Sequence, residues 1–267
     1  MRYVAPARDA VDPCVFDRPP LDAWRAYAHL FRGDWPAPEA FNAYLPADAR
    51  ERFVAQTPAL LADGLHYEQR IAERGLVATR EGNWHDLFNA LVWLRYPELK
   101  RALNARQVAD IRRLGPHRRS RAQCALTHFD EAGAIVLLRE ARLLALWDAH
   151  DWYGLFWRER DAWRDGRLRL VVFGHALLEH ALTPDKLLVG KALAVLGDDE
   201  AAACAQVAGA IAAGELLCDP QELRPLPLSG LPGWHREGER EAFHRDAACY
   251  RPLRPGRTYP APLHPAA

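Results

Sequence analysis

Residues 168–180 read LRLVVFGHALLEH, and this stretch decides how the chain folds. Its first six residues are almost all apolar, which predicts a buried strand at the centre of a sheet. Gly174 ends that strand, and residues 175–182 carry the apolar spacing of a helix. The first helical side chain, His175, therefore lies just beyond the end of a strand, where open α/β sheets place their ligands.

The neighbouring elements follow from the same patterns. Alternating apolar residues predict strands at residues 65–71 and 187–196, with a short helix as the alternative for the first. Residues 122–138 predict a β-hairpin that turns at residues 130–133, where Gly133 suits a left-handed position. Helical spacing predicts a further set of helices, at residues 21–32, 83–96, 98–114, 139–165 and 198–213.

These elements predict an α+β protein: a single helix-rich domain with a small mixed or antiparallel sheet. The ends of the chain differ from the middle because they are rich in proline. Residues 1–20 are expected to form an extended N-terminal arm, and residues 220–267 a proline-rich C-terminal wrap. Because neither a repeat nor a linker is visible, residues 1–267 are expected to form one domain.

Composition narrows the function classes. The 35 basic and 35 acidic residues cancel, which argues against non-specific nucleic-acid binding. The five cysteines form no CxxC pair, which argues against a disulfide framework and a thiolate zinc site. The start of the sequence lacks the apolar stretch of a signal peptide, and no window approaches 18 apolar residues. We therefore expect a cytoplasmic protein that does not enter a membrane.

Four segments together resemble the proteobacterial family known as domain of unknown function 3025. The segment at residues 79–93, TREGNWHDLFNALVW, is the most specific, and the likeness spans nearly the whole chain. Three others support it, at residues 126–133, 173–179 and 226–234. His128 departs from the family pattern, since an apolar residue is expected there. The resemblance implies no reaction, cofactor or partner, so the chemistry has to come from the residues.

The helix that begins at Asn83 carries the first candidate site. His85 and Asn89 lie four residues apart on one face, and Asp86 lies on an adjoining edge. A helix N-terminus favours a neutral imidazole, the form that binds a metal or acts as a base. These residues could form half of a metal or phosphate site. The structural alternative is that Asn83 and Asp86 cap the helix.

His175 and Glu179 form the second candidate, again four residues apart on one helical face. The pattern HxxxEH is neither of the zinc-protease patterns HExxH and HxxEH, which excludes that assignment. A His–Glu pair on a packed helix is the structural alternative.

Asp130 and Glu131 are adjacent carboxylates, which can bind a divalent cation or divide acid and base roles. Turn formation explains them equally well. Residues 100–121 contain eight basic residues against Asp110, a local excess that could attract phosphate groups. A solvated helix face paired with acidic neighbours is the alternative there. We expect Arg80, or this basic segment, to bind the anion.

Two metal-dependent families offer partial matches. An HD-type phosphohydrolase would use His66, the pair His85-Asp86, and Asp130 or Asp151, but it needs them on helices. A ββα-metal nuclease would pair a histidine near a hairpin with Asn89 or Asn104. In that fold the histidine precedes the second strand, whereas His85 follows it.

The sequence favours a metal-assisted hydrolase whose small-molecule substrate could contain phosphate. The catalytic candidates are His85, Asp86, Asn89, His175 and Glu179. A divalent metal would be bound by His85, His175, Asp130 and Glu131, and Arg80 would bind the ligand. The rival hypothesis is a non-catalytic module for a partner or ligand, in which the same polar residues are structural. A pocket with convergent polar side chains would favour the hydrolase.

Overall fold

Two small sheets organise the computed structural model, which describes residues 3–116 and 118–264. The strands are β1 (Arg52–Ala55), β2 (Leu76–Thr79), β3 (Gly133–Leu138), β4 (Leu168–Val172), β5 (Val189–Leu196) and β6 (Arg224–Pro227). Strands β1 and β2 form a parallel pair. The larger sheet has the order β4-β3-β5-β6, in which β3 and β5 run parallel and the other pairs antiparallel. The larger sheet is therefore mixed.

Helices surround these sheets. The α-helices of the described residues are α1 (Pro58–Leu61), α2 (Tyr67–Arg74), α3 (Trp84–Arg95), α4 (Pro97–Leu114), α5 (Arg121–Ala132), α6 (Ala141–Asp148), α7 (Arg160–Arg164), α8 (His175–His180), α9 (Glu200–Ala213) and α10 (Glu241–Asp246). Leu21–Phe31 and Pro38–Tyr44 are 3₁₀-helical, and Gly154–Arg158 is a π-helical turn. This composition confirms the α+β prediction.

The predicted helices and strands near the two candidate histidines are confirmed within one to three residues. Asn83 caps α3 by accepting a hydrogen bond from the backbone N–H of Asp86. Tyr96 separates α3 from α4, as expected from the effect of Pro97 on the residue before it. The strand–glycine–helix unit is β4, Gly174 and α8. Strand β4 is nevertheless an edge strand of its sheet, so the prediction that it is central was wrong.

The strand predicted at residues 65–71 is wrong, because the chain forms helix α2 there. Tyr67 and Ile71 are four residues apart, which satisfies a helical period as well as a strand period. The local signals favoured the helix. His66 accepts a hydrogen bond from the N–H of Glu68 at the start, and Gly75 adopts a left-handed conformation at the end.

The β-hairpin predicted at residues 122–138 is also wrong in its first arm. Residues 121–132 form helix α5, and only the second arm is a strand, β3. Ser120 and Gln123 make a reciprocal capping box, which is a helix-start signal with the spacing S-x-x-Q. Asp130 and Glu131 therefore lie in the last turn of a helix and not in a hairpin turn.

The ends of the chain pack on the fold through short elements. The arm predicted at residues 1–20 contains 3₁₀ turns at Arg8–Ala10 and Pro13–Asp17, and residues 1 and 2 lie outside the described part. The wrap predicted at residues 220–267 supplies the edge strand β6 and helix α10, and residues 265–267 lie outside the described part. One buried apolar cluster of the described residues runs from Val11 to Leu231, and the single domain stays a prediction.

Two glycines bring the candidate residues together. The N–H of Gly174 donates to the carbonyl oxygen of Gly133 at 2.8 Å. A Cβ on Gly174 would lie 2.4 Å from the Gly133 nitrogen and 2.6 Å from Ala132, so only glycine allows this approach. The start of α8 consequently lies against the end of α5, which places His175 beside Asp130 and Glu131.

None of the described helices combines the length and the apolar character that crossing a membrane requires.

Candidate metal centre

Three helices converge on one cluster of side chains. His85 lies in the first turn of α3, Glu131 in the last turn of α5, and His175 at the start of α8. The Nε2 atoms of the two histidines are 3.0 Å apart. Glu131 Oε2 is 3.8 Å from His85 Nε2 and 3.6 Å from His175 Nε2. Two imidazoles and one carboxylate thus direct their donor atoms at a common point.

The size of this triangle matches a tetrahedral metal ion. With sides of 3.0, 3.6 and 3.8 Å, the point in its plane that is equidistant from the three atoms lies about 2.0 Å from each. An ion raised above that plane, as in tetrahedral geometry, would form bonds of about 2.1–2.2 Å, within the range for zinc with nitrogen and oxygen donors. An octahedral ion on the same three atoms would need bonds of about 2.5 Å, a calcium distance, and calcium takes oxygen donors. The donor set therefore fits a zinc-type ion best.

A carboxylate flanks each imidazole on the side away from the triangle. His85 Nδ1 lies 3.1 Å from Glu179 Oε2, a hydrogen bond in which the imidazole donates. His175 Nδ1 lies 4.0 Å from Asp130 Oδ2. Metal-binding histidines in proteins almost always donate their other N–H to such a group, which fixes the ring and leaves Nε2 free for the ion.

The proton positions favour a positive charge between the two imidazoles. If a neutral His85 donates from Nδ1 to Glu179, its Nε2 is an acceptor, and the 3.0 Å contact then requires His175 Nε2 to be protonated. His175 Nδ1 would then be a bare acceptor, yet it is buried and has no hydrogen-bond partner among residues 3–116 and 118–264. A positive charge at the two Nε2 atoms removes this conflict, whether it is a second proton on His85, whose pKa is raised, or a metal cation. Both rings would carry their proton on Nδ1, directed at Glu179 and towards Asp130.

The carboxylates around the cluster are only partly paired with lysine or arginine in the described part of the chain. Within residues 3–116 and 118–264, neither Glu131 nor Glu179 forms an ion pair with a lysine or arginine. Asp130, by contrast, is paired with Lys100 Nζ at 2.6 Å. With both histidines neutral, the cluster therefore carries two uncompensated negative charges, which one divalent ion would neutralise.

The pKa shifts agree with this picture. Burial lowers the pKa of His175 to about 3, so its imidazole is neutral at physiological pH. Burial also acts to lower the pKa of His85, but the hydrogen bond with Glu179 and the charge of Glu131 outweigh it and raise that pKa above its usual value. The space next to His85 thus attracts positive charge, which a proton supplies when no metal does.

Sequence reasoning missed a buried network behind the cluster. Lys100, which is 4% exposed, donates to Asp130 Oδ1 at 2.6 Å and to Asn89 Oδ1 at 2.8 Å. Asn89 Nδ2 in turn donates to the hydroxyl of Tyr67 at 3.0 Å. Burial alone would raise the pKa of Asp130, but Lys100 and the two histidines hold it below its usual range. The available signal was that Lys100 is one of three lysines in an arginine-rich chain.

Three of the sequence candidates are directed elsewhere. Asp86 accepts a bidentate ion pair from Arg80, at 3.0 and 2.7 Å, together with the Arg80 backbone N–H. This pair connects the end of β2 to the start of α3. It engages Arg80, which we had expected to bind a ligand, and it turns Asp86 away from the imidazoles. Asn89 is likewise held by Tyr67 and Lys100.

The triangle opens into a polar cavity of about 400 Å³. His85, Glu131 and His175 form part of its wall, and the other walls come from α2, the end of α4 and the start of α5. The exposed fractions of the side chains are 27% for His85 and 42% for Glu131, against 5% for His175. A fourth ligand of an ion in the triangle could therefore be reached from solvent.

The two partial family matches fail on geometry. Asp151 binds the backbone N–H of Gly154 and the side chain of Arg158, away from the cavity, so it cannot complete an HD-type site. Asp130 does lie on a helix, contrary to our reason for rejecting that family, but Asp86 is engaged by Arg80. The ββα-metal match fails because β1 and β2 run parallel and not as a hairpin. Asn104 is bound to Glu68.

Comparison with known proteins confirms the resemblance seen in the sequence. The sequence model described as "Protein of unknown function (DUF3025)" matches residues 51–254, which include every residue of the donor triangle. No curated protein matches the chain. No solved structure matches it either.

Proposed function

Because the chain belongs to the DUF3025 family, whose function is unknown, we propose its activity from its own residues: a metal-assisted hydrolase. His85, His175 and Glu131 bind one zinc-type divalent ion, and the cavity admits a small substrate that could contain phosphate. The observation that carries the proposal is the donor triangle. Its size suits tetrahedral bonds, and its two uncompensated carboxylates suit a dication.

The roles follow from the contacts. Three protein donors leave the fourth tetrahedral position to water, which is the arrangement of catalytic zinc sites. An ion held by His85, His175 and Glu131 would supply an activated water, since zinc lowers the pKa of a bound water to about 7. Glu179 and Asp130 orient the two imidazoles, and Lys100 keeps Asp130 ionised. Arg80 and Asp86 fix the loop that precedes α3.

The rival hypothesis, a non-catalytic binding module, has one observation in its favour. Asn89, Lys100 and Tyr67 form a satisfied buried network, as structural polar residues do. That reading suits Asn89 better than a catalytic role. It does not suit His175, whose Nδ1 is buried without a partner in the described part of the chain.

Hydrolysis of chromogenic esters tests the proposal. The zinc-loaded protein should release 4-nitrophenol from at least one of 4-nitrophenyl phosphate, bis(4-nitrophenyl) phosphate and 4-nitrophenyl acetate. Glu131→Gln should abolish that release, and Glu241→Gln, which alters a carboxylate paired with Arg245, should leave it unchanged. Zinc-loaded protein that hydrolyses none of the three, or a Glu131→Gln variant as active as the native protein, would contradict the proposal.

A further inference from the structure

The basic residues of the segment 100–121 divide into two groups. Six have partners: Lys100, Arg101, Arg112, Arg113 and Arg121 form ion pairs, and Arg106 donates to the carbonyl oxygen of Ile211. Arg118 and Arg119 form no ion pair with any residue in 3–116 or 118–264. Both are exposed, and both line the cavity that contains the donor triangle. Three guanidinium groups of this segment thus have no carboxylate partner in the described part of the chain, and the two that also lack the carbonyl partner of Arg106 are the two at the cavity.

We infer that Arg118 and Arg119 form an anion subsite and that the substrate of the proposed hydrolase carries a phosphate group, which they bind. The claim that the ligand is a substrate rests on the proposed function. Phosphate binding by the two arginines does not depend on catalysis. Guanidinium groups bind phosphate oxygens through paired, charge-assisted hydrogen bonds, which makes arginine the preferred residue for this group.

The wall around these arginines supports an anionic ligand. His66, at the start of α2, lines the same cavity. Burial lowers the pKa of His66, and the positive charges of Arg119 and Arg70 lower it further. A neutral imidazole there can donate a hydrogen bond to an anion without adding a charge that would repel the arginines.

Charge balance places the anion at this end of the cavity. The divalent ion would neutralise the carboxylates of Glu131 and Glu179. Asp130 and Asp86 are already paired with Lys100 and Arg80. Among the described residues that line the cavity, Arg118 and Arg119 would then be the cations without an acidic partner, and Glu68, whose carboxylate accepts a hydrogen bond from the Asn104 amide, would be the carboxylate without a cationic one. This assignment replaces the earlier expectation that Arg80 binds the anion, since Arg80 is engaged by Asp86.

Calorimetric titration with inorganic phosphate tests the subsite. The metal-bound full-length protein should bind phosphate, and the double variant Arg118→Ala/Arg119→Ala should bind it at least tenfold more weakly with an unchanged metal content. The matched control is Arg112→Ala/Arg113→Ala, which removes the same charge from two arginines that are paired outside the cavity. That control should bind phosphate as the native protein does.

The other outcomes separate the two proposals. If the Arg118/Arg119 variant binds phosphate as tightly as the native protein, or both double variants lose affinity equally, the subsite is wrong and the metal centre is unaffected. If the protein binds no metal, but phosphate affinity still depends on Arg118 and Arg119, the subsite stands and the hydrolase proposal fails. Misfolding does not confuse the result, because these two side chains are exposed and support no described ion pair.

Discussion

Two regions of this molecule contain buried histidines, and only one of them resembles a metal centre. In the C-terminal region, His244 is 2% exposed, and both of its nitrogens are satisfied by neutral partners. Nδ1 lies 2.8 Å from the hydroxyl of Tyr250, and Nε2 lies 2.7 Å from the carbonyl oxygen of Gly238. His175 is equally buried, but its Nε2 faces another Nε2, and its Nδ1 has no partner in the described residues.

On our proposal, the hydrogen-bond partners, and not the burial, distinguish the metal ligand His175 from the structural residue His244. One Tyr hydroxyl and one carbonyl oxygen complete the hydrogen bonding of His244, so neither ring nitrogen has a free lone pair for an ion. Around His85 and His175 lie the carboxylates of Glu131, Glu179 and Asp130, and the two imidazoles have too few N–H groups to pair with all of them.

The largest effect is expected from His175→Ala and His85→Ala. Each removes a donor atom of the triangle, so metal affinity should fall by more than the roughly 10–100-fold that loss of an orienting partner costs. Competition with a chromophoric chelator would measure the affinity, and circular dichroism would confirm the fold. A folded His175→Ala variant that still binds metal with native affinity would place the ion elsewhere.

Glu179→Gln comes next. The glutamine leaves the triangle intact but removes the carboxylate that accepts from His85 Nδ1, and with it one of the two uncompensated charges. Metal affinity should fall roughly 10–100-fold. Glu200→Gln, which changes a carboxylate paired with Arg95, is the matched control and should bind normally. Equal affinities for the two variants would show that Glu179 has no part in the site.

His244→Ala should lower the stability of the protein and leave its metal affinity unchanged. It leaves the hydroxyl of Tyr250 and the carbonyl oxygen of Gly238 without a buried partner, which should lower the free energy of unfolding by about 1–3 kcal/mol. Metal affinity should not change. Urea denaturation and the chelator assay would measure the two quantities. If the His244→Ala variant also lost its metal, the two histidine regions would not differ in metal binding as we propose.

The smallest effect is a pH dependence of the metal-free protein. The pKa of His175 is about 3 when folded, below its ordinary value, so the unfolded chain binds this proton first. Its contribution to stability is complete above the unfolded pKa of about 6.5 and is lost as pH falls towards 3. His85, with a raised pKa, gains stability as pH falls, but that gain is complete by about pH 6.5.

Denaturation at pH 6.5 and pH 5 would measure this loss. The native protein should lose more free energy of unfolding over that interval than His175→Asn, by on the order of 1–2 kcal/mol. Comparing the two proteins cancels the contributions of the other histidines, several of which also have lowered pKa values. Identical losses would mean that His175 is not held neutral by burial.

Local sequence signals predicted the elements that carry His85 and His175. Asn83 and Pro97 bound α3, and Gly174 marks the passage from β4 to α8, because capping and backbone restriction act within a few residues. The same local rules misassigned α2 and α5, where apolar residues fit two periods. The capping box at Ser120 should have decided the second case.

The site itself depends on tertiary contacts that no local pattern encodes. Sequence spacing paired His175 with Glu179, whereas in the fold Glu179 binds His85 from a helix 94 positions away in the chain. Lys100 looked like one charge in a basic segment, and its burial against Asp130 arises only when α4 and α5 pack. The residue types were therefore predictable, but their partners were not.

The metal content of the purified native protein tests whether His85, His175 and Glu131 hold an ion. Elemental analysis should find close to one zinc-type ion per chain, retained in His244→Ala and lost in a folded His85→Ala variant. Native protein that takes up no divalent ion after exposure to zinc, or a His85→Ala variant that retains it, would contradict the account. His85 and His175 would then be structural residues.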